Sequence, residues 1–330
     1  MFDRRSLLAW LIASGAIAAP LRAVGQAPAE RSTFPTRPIR FVVPYPPGGG
    51  GDTVSRLLSG PMAELLGQPV VIENRAGAGG SIGAAAVALA EPDGHTMLFD
   101  ALGHVINPHL IRDLPFQYER AFAPVSLLAT QPIIVVGSPG HPARSLTDLL
   151  DRLRQPGPEL SYGSSGNGTG PHLAAESLLR QASARAVHVA YRGAAPALQD
   201  VMAASVAFAV VTAGSAVALA RDGKVIPLAV LSRDRIASLP GVPTAAEAGV
   251  PGFVFDEWNG LFVPARTPDA VIARLHQAVR HALGQAAVRE RLGVIGAVPV
   301  GSSPADFGAF LSNQRAAIAR TVAEAGIKPN

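Results

Sequence analysis

Three short stretches carry residue types that can hold a small anion without a lysine. They are Tyr45-Pro46-Pro47-Gly48-Gly49-Gly50-Gly51-Asp52, Gly163-Ser164-Ser165-Gly166-Asn167-Gly168-Thr169-Gly170 and Tyr191-Arg192-Gly193-Ala194-Ala195-Pro196. Each follows an apolar, β-rich run and precedes a helical pattern. Glycine lets backbone N–H groups come close to a ligand, and a helix N-terminus favours negative charge there. A single loop of this kind is explained as well by a tight turn between strand and helix. Two such loops that mix Gly with Ser, Thr and Asn shift the weight to anion binding, because opposed loops would clamp a carboxylate from both sides. Arg192 can pair bidentately with a second acid group or sit solvated at a helix start, and Arg75 has the same two readings.

Other chemistries find less support. The chain contains no Cys, which excludes a thiol nucleophile and a thiolate metal site. Neither glycine loop holds a lysine, so the phosphate-cradling G-x-x-x-x-G-K-[ST] pattern is absent. Gly79-Gly80-Ser81-Ile82-Gly83 does match G-x-S-x-G, which in an α/β-hydrolase displays its serine on the turn directly after a strand. Here residues 74–78 intervene, and the pattern arises cheaply in a chain with 34 Gly. A serine hydrolase using Ser81 is therefore the alternative reading. The 8 His are scattered without metal-ligand spacing, so neither a metal nor a cofactor is expected. His104 and His172 border the candidate loops, where binding competes with capping. Asp100 follows a strand directly and could touch a ligand amine or serve as a cap.

The elements that must position these loops alternate along the chain. Ile39–Val43 reads as a buried strand, and Asp52 as the N-cap of a helix carrying Val54, Leu58, Met62 and Leu65 up to Gly67. Strands are expected at 70–72, 96–99, 133–136, 187–189, 208–212 and 227–231. Helices are expected at 82–90, 145–153, from about 171, at 195–202, at 268–283 and at 304–325. Strand–helix alternation means an α/β fold with mostly parallel sheets. A length of 330 residues, with 48% hydrophobic and 16% charged, allows two folded domains.

The N-terminus has its own pattern. Arg4-Arg5 precede Ser6–Ala19, about 14 uncharged residues, and small residues at 23–27 follow. That run is short of the ~20 apolar residues a membrane span needs, so residues 1–27 read as a signal peptide, of the Sec or twin-arginine type. The chain carries 28 Lys+Arg against 24 Asp+Glu. Without residues 1–27 the counts fall to 25 and 23, too balanced for a nucleic-acid partner.

In order along the chain, the loops and their neighbours resemble the substrate-binding proteins of tripartite tricarboxylate transporters, the TctC or Bug family. The stretches that carry the resemblance include Tyr45–Asp52, Val71-Ile72-Glu73-Asn74-Arg75-Ala76-Gly77-Ala78-Gly79-Gly80, Pro92-Asp93-Gly94-His95-Thr96, Tyr162–Thr169, Tyr191–Leu198 and Leu239-Pro240-Gly241-Val242-Pro243-Thr244. The resemblance implies a periplasmic-binding-protein fold of the second type, with residues 34–130 and 255–330 as one α/β domain and 131–254 as the other. It implies hinge closure on a small organic carboxylate, a periplasmic location, a monomeric state and delivery to membrane transporter subunits or a sensor, with no enzymatic activity. It also implies a site made of Tyr45, Pro47, Gly48, Gly49, Gly50, Gly51 and Asp52 on one domain. Ser164, Ser165, Gly166, Asn167, Gly168 and Thr169, with Tyr191, Arg192, Gly193 and Ala194, would face it from the other. Asp100, His104 and Thr212 would flank the distal end. The chain departs from the family at Gly51, at Ala203–Val206 and at Val210–Gly214, the last of which normally lines the cleft.

Overall fold

A computed structural model describes residues 34–325, with side chains to Val322. The expected signal peptide lies outside the described residues. The chain opens with β1 (Ile39–Val43), α1 (Gly50–Leu66), β2 (Val70–Asn74), α2 (Ser81–Ala88), β3 (Thr96–Ala101), α3 (Gly103–Leu110), α4 (Tyr118–Ala121) and the long β4 (Phe122–Gly137). It continues through α5 (Leu146–Arg154), β5 (Ser161–Ser164), α6 (Gly170–Gln181), β6 (Val187–Ala190), α7 (Ala194–Met202), β7 (Phe208–Thr212), α8 (Ala213–Arg221) and β8 (Ile226–Val230). It then returns as β9 (Asp256–Pro264), α9 (Asp269–Gly284), α10 (Ala286–Val294), β10 (Val298–Pro299) and α11 (Pro304–Ala325).

The strands run in the order β2-β1-β3-β9-β4-β7-β5-β6, and β8 and β10 also pair with β4. Two parallel groups, β2-β1-β3 and β7-β5-β6, form the outer parts. Between them β4 and β9 run antiparallel. Residues 122–132 of β4 pair with β9, and residues 133–137 pair with β7 and β8, so one strand serves both halves of the molecule. The sequence pattern exposes only the second part of β4, Ile133–Val136. Pro124, Ser126, Gln131 and Pro132 interrupt the apolar run of the first part, where the register also shifts.

Helices cover both faces, so the parallel strands are apolar nearly throughout. On one side of β1, Phe41 and Val43 pack with Val54, Leu58 and Met62 of α1 and with Leu275 and Val279 of α9. On its other side Val42 meets Ala84, Leu98, Phe262 and Phe307. The same sandwich recurs around β7, with Val210 packing toward Leu178 and Leu149, and Val211 toward Leu198 and Val217. α1 stops at Gly67, whose left-handed φ of 70° turns its N–H back to Ala63 O. The helix starts earlier than its sequence suggests. Gly49 is the cap, and Asp52 sits inside the first turn.

Candidate functional site

Four helices begin at one cleft. The caps are Gly49 for α1, Thr169 for α6, Gly193 for α7 and Thr212 for α8, and no side chain caps any of these four starts. The first N–H groups of a helix have no partner within it, so each start presents free donors and a partial positive charge. All four border one cavity of about 210 Å³, lined by Gly49–Gly51, Thr169–Pro171, Gly193–Pro196, Thr212 and Ser215. Tyr45, Pro46, Pro47, Phe99, Ala101, Ser165 and Arg192 complete its walls.

The floor is one face of the β4–β9 pair. Gln131 lies opposite Glu257 in register, and Asn259 is two residues along the same face. All three line the cavity. None of them is among the sequence candidates. The available signal is the alternation around Trp258, where Glu257 and Asn259 are polar on either side of a buried aromatic residue. Burial pushes the Glu257 carboxyl up to about 8, against hydrogen bonds from the Leu102 and Trp258 N–H groups. Glu257 is therefore mainly protonated at neutral pH, and Arg192 is the only formal charge among the lining side chains.

The structure sorts the candidate residues into three groups. Tyr45, Pro47, Gly49, Gly50, Gly51, Ser165, Thr169, Arg192, Gly193, Ala194 and Thr212 meet at the cavity. Gly166, Asn167, Gly168 and Tyr191 line a wider outer groove of about 870 Å³ that shares Tyr45, Ser165, Thr169 and Arg192 with it. Gly48, Asp52, Asp100, His104 and Ser164 line neither. Across the mouth the loops come to packing distance: a Cβ placed on Gly193 would lie 3.1 Å from Pro46 Cγ.

The last group builds the walls from behind. The Asp52 carboxylate accepts from the Gly48 N–H at 2.9 Å, from Arg56 Nε at 2.9 Å and from Asn74 Nδ2 at 2.9 Å. Burial pushes this carboxyl up, but the hydrogen bonds outweigh it and hold the group below its ordinary range. Asp52 thus folds the first glycine loop back onto α1. Asp52→Ala would strand three donors and is expected to cost about 1–3 kcal/mol, read as a lowered thermal midpoint. Most of that loss comes from the loop, since Arg56 is half exposed and such ion pairs contribute little.

Asp100 is buried, accepting from Tyr45 Oη at 3.1 Å and from the Ala101 N–H, and pairing with His104 Nδ1 at 3.0 Å. His104 stacks on Phe262 with ring centroids 4.1 Å apart. Burial and the Asp100 charge push the Tyr45 phenol well above its ordinary value, so it stays a neutral donor. Ser164 is buried as well, and its Oγ bonds His188 Nε2 at 2.7 Å. Ser81, the alternative nucleophile, is buried at the first residue of α2 and hydrogen-bonds no imidazole among the described residues. That removes the geometry a serine hydrolase requires.

The fold is that of the periplasmic binding protein BugD, which superposes with a TM-score of 0.85 at 29% identity, covering 90% of this chain and 100% of that one. The chain belongs to the tripartite tricarboxylate transporter family of receptors (TctC), whose family model matches residues 54–327. Members of this family are solute-binding receptors and not enzymes. The UPF0065 protein in the tcbD–tcbE intergenic region of Pseudomonas sp. (strain P51) is 42% identical over 274 residues, which is 82% of this chain and 81% of that one. Among solved structures, an R. palustris protein with adipate superposes with a TM-score of 0.86 at 32% identity, covering 90% of this chain and 100% of that one. MatC from Rhodopseudomonas palustris with bound malate gives 0.82 at 34% identity, covering 88% and 100%.

Proposed function

We propose that this receptor captures a small organic carboxylate in the cavity and presents it to the membrane subunits of a tripartite tricarboxylate-type transporter, outside the cytoplasm. The observation that carries this reading is the convergence of four uncapped helix N-termini on one small cavity. Free N–H groups with no side chain to satisfy them require an acceptor, and their summed dipoles favour an anionic one. The adipate and malate held by related structures support the ligand class, and the charged start with its short apolar run supports export. Residues 34–130 with 255–330 form one lobe, residues 131–254 the other, and the lobes close by a hinge where β4 and β9 pass between them.

A thermal-shift screen of residues 28–330 against mono-, di- and tricarboxylates and their amides tests this. An acid at 100 times its Kd adds about 2.7 kcal/mol of stability, a rise of about 5 °C or more in the midpoint. The matched amides should give none. Equal shifts with acids and amides, or none with any acid, would sink the carboxylate reading.

A further inference from the structure

Glu257 is the one acid that lines the cavity, and it is only 4% exposed. Among the described residues it makes no ion pair: His104 is engaged with Asp100, and Arg192, on the cavity wall, is exposed. A buried carboxyl without a cation keeps its proton. Its two oxygens differ. Oε1 accepts the Leu102 N–H at 2.7 Å and the Trp258 N–H at 3.3 Å, while Oε2 takes no hydrogen bond among the described residues. The proton of the neutral acid therefore belongs on Oε2. A Cβ placed on Gly170 would collide with Oε2, and Gly170 itself lines the cavity. An unused O–H donor thus stands at the start of α6, where wall meets floor. Buried donors normally find an acceptor, and the protein supplies none here among the described residues.

We propose, resting on the carboxylate-receptor reading above, that Glu257 is a specificity residue for diacids. Its Oε2–H donates to a second, ionised carboxylate at the ligand's far end, so that two carboxyl groups share one proton. An O–H bond to a carboxylate is short and about twice as strong as a neutral one, whereas two ionised carboxyls at that distance repel. The walls agree. With Glu257 neutral, the lining carries Arg192, four helix starts and no formal negative charge, which suits a ligand with more than one. The surroundings also hold the proton in place. Asp100, on β3, opposes ionisation of Glu257, and Tyr45 stays a neutral donor to Asp100. His172 of α6, lowered by burial to about 3, accepts the Gly168 N–H. Asp256, raised to about 6, precedes Glu257 on β9 and points to the opposite face. Of these shifted groups only Glu257 changes its charge between pH 7 and 9.

Calorimetric titration of residues 28–330 with succinate, glutarate and adipate, each beside its monoamide, tests this at pH 7 and pH 9. At pH 7 the best diacid should bind at least about 10-fold tighter than its monoamide. At pH 9 the free protein has lost the Glu257 proton, so the diacid must bring one back from solvent. Its affinity should therefore fall about 10-fold between the two pH values. Titrations at pH 9 in two buffers of different ionisation enthalpy should show uptake of about one proton per diacid. The monoamide, whose N–H can donate to the ionised carboxyl, should not weaken. Glu257→Gln keeps an oxygen for the Leu102 and Trp258 N–H groups and places an N–H where the Oε2–H was. It should still prefer the diacid, equally at both pH values and without proton uptake. No preference for the diacid at pH 7, a native affinity that ignores pH, or a pH dependence that survives in Glu257→Gln overturns the role of Glu257 and leaves the receptor reading standing. If neither acids nor monoamides of any length bind, the receptor reading falls and this inference with it.

Discussion

Gly50→Val is expected to lower ligand affinity by about 30-fold while the ligand-free protein unfolds within about 1 kcal/mol of the native one. Gly50 is the first residue of α1, and a Cβ there would lie 2.8 Å from both Gln131 Oε1 and Thr212 Oγ1. Thr212 caps α8 and Gln131 lies on β4, so on the proposed two-lobe reading the added carbons wedge the lobes apart. Overpacking of this kind costs about 2 kcal/mol, and under the proposed hinge closure that cost falls on the closed state. Opening relieves it, which is why the unliganded chain should tolerate it. Calorimetry against the best acid of the screen reads the affinity, and thermal unfolding without ligand reads the stability. A loss of stability as large as the loss of binding energy would show that the wedge acts on the fold rather than on closure.

The second large effect is on pH. Glu257 has a folded-state value of about 8 against an ordinary 4.5, so between those values the folded chain holds a proton that the unfolded chain has released. Its contribution is therefore greatest at low pH, falls as pH rises and is exhausted above the folded value. Asp256, raised by burial to about 6, acts in the same sense at lower pH. His172 and His188, lowered by burial to about 3 and about 4, act in the opposite sense below about 6.5. Between pH 7 and 8.5 Glu257 stands alone among these four. The ligand-free protein should lose about 1 kcal/mol across that window, and Glu257→Gln should be flat across it. A native profile as flat as the variant's would mean that the carboxyl is ionised at neutral pH.

Local chemistry made much of this legible in the sequence, and distance in the chain hid the rest. Ile39–Val43 is a strand with the predicted ends because its apolar run is bounded by prolines and glycines, and Gly67 ends α1 for a reason visible in one residue. Val210–Gly214 is less legible. Its departure from the family pattern left no sign that Ala213-Gly214-Ser215 would open α8 and bring a fourth helix start to the cavity. The floor was invisible for another reason. Gln131 and Glu257 are far apart in sequence, and only the antiparallel register of β4 and β9 sets them opposite each other. Asp52, Asp100, His104 and Ser164 carried the polarity expected of ligand contacts. A polar group beside a loop can equally serve the loop, and the hydrogen bonds of these four are made to the protein.

The late return of β9 has a consequence for the order in which the molecule can be built. β9 is the strand between β3 and β4, so the parallel sheet of residues 39–101 has an unpaired edge at β3 until residues 256–264 arrive. The other half draws its apolar cluster from the continuous stretch 133–253 and can close first. A chain emerging from its N-terminus therefore completes its second half before its first. A nascent or truncated chain that ends before Asn259 exposes the β3 edge, a template for pairing with another chain.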